Sequence, residues 1–486
     1  MISSHPLPQA ARADWLSLDG VWELELPAGT TPRPIRVPYT FEAARSGIGA
    51  AAEIHERLRY RRMFTLPDHW RGRRSLLRFG AVDWHATVFV DGRERARHEG
   101  GYAHFTVDLG RLTGQHELVV EVEDPADDAF GQAKGKQRGT QGIWYTRTTG
   151  IWRTVWLEAV PDEYIADPSL RVRLDGTVTA ADGVEVTVIG LDGPPRLWSP
   201  DDPRLYDVEL RLGDDLVRSY VGFRTIEHRG RELLLNGEPL RIAGILDQGF
   251  WPEGVYTATD EELRRDVAAA KELGFDLARK HVKVEDPRWY AWCDRLGLLV
   301  AQDLPSSHDL STAVARERLQ LEWLEIMRQL AGHPSLVAWI PINEAWGEPP
   351  ADFQRALVAE TRATDPTRLV IDASGWFQLE DTDLVDVHDY GAELTKHRGV
   401  RDDIPLWFGE LGGLSMGSGE FAYRHVADLA AGYKLIVDQV PNEAAGFVWT
   451  QLSDVEGEQN GLLTADRRPK CDPAAIRTVN DDFRRR

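Results

Sequence analysis

Cysteine is nearly absent, with only Cys293 and Cys471 in 486 residues. Two thiols build neither a disulfide framework nor a cysteine-ligated metal centre. No uninterrupted apolar run approaches the ~20 residues that a membrane helix needs. The opening segment, MISSHPLPQAARADW, has no basic start followed by an apolar stretch, so no secretory leader is expected and a cytoplasmic location is predicted. Basic side chains are in the minority: 57 Lys and Arg against 78 Asp and Glu give a net charge of -21. Phosphate binding needs a concentrated positive surface, which argues against nucleic acid and anionic membranes as partners.

What is present is length, a globular balance and tryptophan. A chain of 486 residues exceeds one ordinary domain, and 42 % hydrophobic with 28 % charged residues is the balance of a soluble fold. The 17 Trp are many for this length. An indole is an awkward core filler because its N–H needs a partner, whereas sugar sites stack pyranose faces on such rings.

Residues 13 to about 160 read as short alternating strands between Gly, Pro and Asp turns: VWELEL (21–26), SLLRFG (75–80), ATVFVDG (86–92) and HELVVEVED (116–124). That rhythm predicts a β-sandwich of jelly-roll type over 1–160. A second β segment, 161–228, contains LRVRLDGTVTA, VEVTVIG, YDVELRL and VRSYVGFRTIEH. It is short for an immunoglobulin-like sandwich of ~100 residues. From 229 to 486 apolar runs alternate with helical segments such as TDEELRRDVAAAKELG (259–274), VARERLQLEWLEIMRQLAGH (314–333) and EFAYRHVADLAAGYKLIVDQV (420–440). The runs are LRIAGILDQ, FDLARKHVKV, LLVAQD, LVAWIPINEAWG, RLVIDAS, LVDVHDY, LWFGELGG and AGFVWTQLSD. Eight strands with crossovers predict a (β/α)8 TIM barrel, and the first run lacks the phosphate loop that a doubly wound sheet would want.

Barrel active sites lie at the C-terminal strand ends. In order, those ends carry Asp247 and Gln248; Arg279, His281 and Lys283; Asp303; Asn343, Glu344 and Trp346; His388, Asp389 and Tyr390; Glu410; and Trp449 with Asp454. Ionisable groups thus close otherwise apolar strands and converge on one rim. Glu344 and Glu410 stand out, because glycoside cleavage needs one carboxyl to protonate the leaving oxygen and another to act at the anomeric carbon. A gap of ~5–5.5 Å between them means retention, and ~6.5–9.5 Å means inversion.

LVAWIPINEAWG resembles the acid/base segment of glycoside hydrolase family 2, and LWFGELGG its nucleophile segment. RADWLSLDGVWELEL, LRYRRMFTLPDHW and GIWYTRTTGIWRTVWLE resemble that family's jelly roll, LWSPDDPRLYDVEL and VGFRTIE the end of its immunoglobulin-like domain. LLLNGEPLRIAGILDQG and FVWTQLSDVEGEQNGLL bracket a barrel of the same type. The resemblance implies a retaining exo-β-glycosidase with Glu344 as acid/base and Glu410 as nucleophile, acting on an oligosaccharide or other β-glycoside without cofactor or metal. Galactose leads as the glycone, with mannose, glucuronic acid and arabinose behind it, and a homo-oligomer is left open.

Physical reasoning adds supporting roles. Asn343 is placed to bond the sugar 2-hydroxyl, which strengthens in the transition state. Arg279 would hold Glu410 ionised, with Tyr390 bonding the same carboxylate. His281 and His388 are expected on sugar hydroxyls, with Trp346 grouped among the substrate contacts. Trp449 is expected as the floor of the glycone subsite, and Asp247, Asp303 and Asp454 as hydroxyl acceptors. Lys283 stands where many family members have a Tyr-Pro pair, and is expected to neutralise a rim aspartate, or alternatively to meet a substrate carboxylate. The Asn-x-Lys signature of the family's β-glucuronidases is not evident. Two other classes compete: a carbohydrate-binding protein that keeps the scaffold without turnover, and a transglycosidase. A serine hydrolase built on GLSMG (413–417), with Ser415 as nucleophile, fits poorly because Gly412 and Gly413 separate the serine from its strand.

Overall fold

The computed structural model describes residues 5–417 and 423–486. Residues 15–160 form two antiparallel sheets face to face. One has six strands in the spatial order Arg33–Val37, Gly20–Glu25, Arg57–Thr65, Gln115–Glu123, His85–Val90 and Arg93–Glu99. The other has four: Trp15–Ser17, Val155–Val160, Arg74–Phe79 and Phe105–Asp108. Period-2 alternation drives the packing, since Ala86, Val88 and Val90 point inward from one strand. Between the sheets lie Trp22, Tyr60, Leu77, Phe79, Val120 and Leu157. On the solvent face Arg59 stands opposite Glu121, so cross-strand pairs are of opposite charge.

The second segment is sparse. Glu185–Val188, Tyr206–Leu212 and Asp215–Val221 form a three-stranded sheet around Tyr206, Val208, Leu210, Val217 and Phe223. The expected run VRSYVGFRTIEH breaks at Gly222, where a Cβ would come within 2.8 Å of Pro334. Beyond the break, Ile226–Arg229 pairs with Glu232–Leu235. Ile226, Leu233 and Leu235 join the core beneath the barrel with Leu246, Leu277 and Leu299. The expected boundary at 228/229 therefore falls inside this hairpin.

Eight parallel strands follow: β1 (Ile242–Asp247), β2 (Leu277–Lys280), β3 (Leu299–Asp303), β4 (Leu336–Ile340), β5 (Leu369–Val370), β6 (Val385–Asp389), β7 (Leu406–Gly412) and β8 (Gly446–Thr450). Their hydrogen-bonded order is β5-β4-β3-β2-β1-β8-β7-β6, leaving the seam between β5 and β6. They are buried throughout, which is why each reads as an apolar run without alternation. Helices cover the outside. Asp260–Glu272 starts from a capping box of Thr259 and Glu262 and stops before Gly274, whose φ of 82° is left-handed. Ala313–Leu330 matches the second expected helix.

The third is shorter than the expected 420–440. Residues 420–422 lie outside the described residues, Arg424–His425 pairs with Leu414–Ser415, and the helix runs only from Leu429 to Val437. Asp428 accepts a hydrogen bond from the Ala431 amide and starts it there, so a polar cap overrides the longer periodicity. Among the described residues no helix is long and apolar enough to cross a membrane.

The jelly roll is docked on the barrel through buried polar contacts. Arg153 donates to the carbonyl of Val284, and the Lys134 and Gly135 amides both donate to the carbonyl of Ser306. Glu322, on the helix Ala313–Leu330, accepts from the Tyr102 amide at 2.9 Å. Burial pushes its carboxyl up to about 8. A raised acid of this kind stabilises the fold fully below its ordinary value and loses that contribution as pH rises through about 8. Glu322→Gln removes the titration. Relative to this variant, wild type is expected to lose up to ~1.4 kcal/mol per pH unit across that window. Denaturant titrations at pH 6, 7 and 8 check this, and parallel stability curves would refute it.

Candidate active site

Arg279 closes β2 and is wholly buried. Its Nε and one terminal nitrogen fork onto both oxygens of Asp303 at 3.0 Å, and that same nitrogen donates to Asn343 Oδ1 at 2.8 Å and Ser374 Oγ at 2.9 Å. The other terminal nitrogen donates to Glu410 Oε1 at 3.1 Å. Burial alone would lower its pKa, but Asp303, Glu410 and Asp386 more than offset this and hold it raised. Burial also pushes the Asp303 carboxyl up, to about 6, against the pull of Arg279. A buried guanidinium shared between two carboxylates is thereby neutralised in place.

Glu410, on β7, is nearly buried. Its second oxygen accepts from the Tyr390 hydroxyl at 2.5 Å. Tyr390 in turn lies 3.0 Å from Thr450 Oγ1 and stacks on Tyr423 with ring centroids 3.7 Å apart. Burial and then Glu410 raise the Tyr390 phenol well above its ordinary value, so it stays a donor. His281 Nε2 lies 3.6 Å from Glu410 Oε1, while its Nδ1 lies 3.0 Å from Gln248 Oε1. Burial, helped by Lys136 and Arg279, keeps this imidazole neutral by lowering its pKa well below the ordinary value.

Glu344 sits just past β4 on a sharp turn. Its φ of 48° and the 55° of Ala345 put two consecutive non-glycine residues in the left-handed region. The Glu344 amide donates to the carbonyl of Ser374 and the Trp346 amide to that of Asn343, so the segment following β5 helps hold the strained turn. Glu344 Oε1 is 2.5 Å from His388 Nδ1. Burial alone would raise the Glu344 carboxyl, but His388 holds it below the ordinary carboxylate range. For His388 burial lowers and Glu410, Asp386 and Glu344 raise, the net direction being upward from 6.5. One oxygen of Glu344, one nitrogen of His388 and one oxygen of Glu410 all lie within 4.8 Å of one another. Among the described residues this trio is the one cluster with spacing that a metal ion would accept.

Asn343 Oδ1 accepts from both Arg279 and Ser374 Oγ. Its Nδ2 is buried and has no hydrogen-bond partner among the described residues. Trp346 stands beside His281 with ring centroids 6.0 Å apart. Glu344, Glu410, Arg279, His281, Asn343, Trp346, His388 and Tyr390 are therefore gathered on one mouth.

The other expected residues behave differently. Trp449 is wholly buried, packed on Tyr433 at 4.4 Å and under Gly412, where a Cβ would come within 2.8 Å of the indole. It supports β7 from below and presents no free face as a floor. Asp247 is taken by Lys280 at 2.7 Å, Asp303 by Arg279, and Asp454 by Lys470 at 2.8 Å in the loop after β8. The three aspartates balance cations instead of waiting for hydroxyls, because an unpaired buried charge is costly. Lys283 meets Glu285 at 2.9 Å and the carbonyls of Gly249 and Tyr256, so its partner is a glutamate and not a rim aspartate. Burial brings its pKa down to about 8.

Residues that the sequence did not single out complete the mouth. Lys136, from the jelly roll, donates to Glu458 Oε2 at 2.8 Å, and the Tyr145 hydroxyl donates to the same oxygen at 2.5 Å. Asn460 and Gln451 extend this cluster to the end of β8, where Gln451 adjoins Thr450. FVWTQLSDVEGEQNGLL contained Glu458 as a signal, but nothing in the sequence pointed to Lys136.

Residues 226–390 match the description "Glycosyl hydrolases family 2, TIM barrel domain", and residues 164–224 match "Glycosyl hydrolases family 2". Both matching models are of glycoside hydrolase family 2, and together they cover just under half of the chain. Among curated members, it is 25 % identical to a β-galactosidase of Thermoanaerobacter pseudethanolicus over 68 % of this chain and 50 % of the relative. Identity to the dog β-glucuronidase is 24 %, over 85 % of this chain and 79 % of the relative. The chain spans half or less of the length of these curated β-galactosidases. In fold it is similar to a β-galacturonidase from Eisenbergiella tayi bound to galacturonate, with a TM-score of 0.81, 19 % identity and coverage of 100 % and 99 % of the two chains. A Bifidobacterium dentium β-glucuronidase complexed with coumarin-3-O-glucuronide gives 0.82, at 19 % identity and 98 % coverage of each. The fold of these two chains is therefore shared over the whole length of this one.

Proposed function

We propose that this family 2 protein is a retaining exo-β-glycosidase that releases a neutral, terminal β-linked sugar, with galactose as the glycone. The carrying observation is the carboxylate oxygens of Glu344 and Glu410 within 4.8 Å of each other. That gap leaves no room for a water between carboxylate and anomeric carbon and supports direct attack by one carboxylate. Glu410, fixed by Arg279 and Tyr390, is the nucleophile. Glu344, sharing a proton with His388, protonates the leaving oxygen and then activates water in the second step. Asn343 Nδ2 is the donor for the 2-hydroxyl.

Exo-action is supported by the jelly-roll loop closing one side of the mouth through Lys136 and Glu458. A neutral glycone is supported by charge: Lys136, Lys280 and Lys283 already pair with Glu458, Asp247 and Glu285. A uronate would have to displace one of these carboxylates, at the cost of leaving it buried and unpaired.

The test is a panel of 4-nitrophenyl β-galactoside, β-glucuronide, β-mannoside and α-arabinoside, with the product anomer followed by proton NMR. The expected result is fastest release from the galactoside with the β-anomer appearing first. First appearance of the α-anomer would overturn retention, and faster cleavage of the glucuronide would overturn the neutral glycone.

A further inference from the structure

We infer that Trp144 of the jelly roll and Trp346 of the barrel form a stacking platform for the aglycone, and that the substrate class is a β-glycoside with a planar aromatic leaving group. This rests on the reading of Glu344 as the acid, since the leaving group departs on its side of the pocket. Trp346 lies on the same left-handed turn that presents Glu344. Its ring centroid is 5.0 Å from that of Trp144, at an interplanar angle of 51°. His308 closes the group, 5.2 Å from Trp144 and 6.2 Å from Trp346. Both indoles are only half-buried. Arg138 lies over the Trp144 ring, 5.4 Å from its centroid.

A further indole lies close to the same acid. Trp376 meets His388, the partner of Glu344, at 5.6 Å and carries Lys396 over its ring at 4.4 Å. The neighbouring Phe377 is 75 % exposed. A lone exposed aromatic is ordinary, but several rings gathered around one acid carboxyl mark a binding site. The groups standing over these indoles are cations. A sugar in this position would call for carboxylate and amide partners for its hydroxyls, whereas a flat aromatic ring needs faces.

The platform is built in advance of any ligand. The loop that carries Trp144 is pinned at one end by the Lys134 and Gly135 amides on Ser306 and at the middle by Lys136 on Glu458. Gly135 is required there, since a Cβ would come within 2.2 Å of the Val282 carbonyl. The jelly roll thus supplies part of the leaving-group site, and substrate choice depends on two domains being docked.

The experiment compares binding of 2-naphthyl and methyl 1-thio-β-galactosides, which resist hydrolysis, by calorimetry on the full chain. Wild type is expected to bind the naphthyl compound at least about tenfold more tightly. Trp144→Ala and Trp346→Ala are expected to abolish the ratio, while Trp144→Phe keeps most of it. Leu435→Ala, on the outer helix Leu429–Val437, serves as a control with the wild-type ratio. Equal binding of the two compounds by wild type, or an unchanged ratio in both alanine variants, overturns the platform. Tighter binding of a thio-linked disaccharide than of the naphthyl compound overturns the aromatic class. Hydrolysis of 4-nitrophenyl β-galactoside is read in parallel. Turnover without a naphthyl preference defeats the platform alone, and a naphthyl preference in a protein that hydrolyses no glycoside defeats the proposed function instead.

Discussion

Glu410→Gly is expected to lower kcat on an aryl β-galactoside by about 10^4-fold or more, and added azide is expected to restore turnover while producing the α-galactosyl azide. The magnitude follows from what the side chain does. Its two oxygens are fixed by Arg279 at 3.1 Å and Tyr390 at 2.5 Å, so the attacking atom is positioned before substrate arrives. Glycine removes the nucleophile and leaves a cavity with those same donors facing into it. A small anion can occupy that cradle, meet the anomeric carbon from the same side, and leave with inverted configuration. Chromatography and proton NMR of the product check this. A β-azide product, or rescue that fails in a variant whose melting temperature matches wild type, would remove Glu410 from the nucleophile role. The folding control is needed because Arg279 loses one of its two carboxylate partners in the same substitution and keeps only Asp303.

Much of this architecture was legible because barrel strands are covered on both faces. Each therefore reads as an apolar run, and a polar residue at its end stands out against it. Glu344, Arg279 and Glu410 could be placed on one rim for that reason, without any distance. Whether a rim side chain faces the cavity is another matter. Trp449 and Arg279 lie near the ends of strands of the same kind, yet one lies under Gly412 and the other spans the pocket. That difference depends on a glycine in another strand, and no local pattern reports it. The same limit applies to the aspartates, because Asp247 finds Lys280 as its cross-strand partner and Asp454 finds Lys470 in the loop after β8 only once the barrel has closed.

The second domain was less legible for a different reason. Arg171–Val172 is exposed on both residues, so alternation had nothing to record. The helix expected over 420–440 was overextended because Asp428, lying inside an amphipathic stretch, acts as a cap. Least accessible of all was the jelly roll's part in the mouth. Lys136 meets Glu458 across 322 residues of sequence, and Trp144 meets Trp346 across a domain interface. Composition hinted at this only through the number of tryptophans.

Glu344→Gln carries the second large effect, and it separates substrates by their leaving groups. For an alkyl or sugar aglycone, kcat/KM is expected to fall about 10^2–10^4-fold, the usual contribution of general acid catalysis. For a 2,4-dinitrophenyl galactoside the first step needs no proton, so the loss there is expected to be slight and the glycosyl-enzyme to accumulate. Azide then attacks that intermediate and yields the β-azide, opposite to the product of Glu410→Gly. The pH profile follows from the pairing with His388. Its pKa is raised above 6.5 and that of Glu344 is lowered, so the shared proton is carried on the imidazole side and is lost as pH rises through the raised histidine value. Wild-type activity on alkyl galactosides should therefore decline on the alkaline side of that value. The dinitrophenyl substrate in wild type, and either substrate in Glu344→Gln, should lack this decline. Equal losses on both leaving groups, or an alkaline limb that survives the substitution, would mean that the proton comes from some group other than the Glu344–His388 pair.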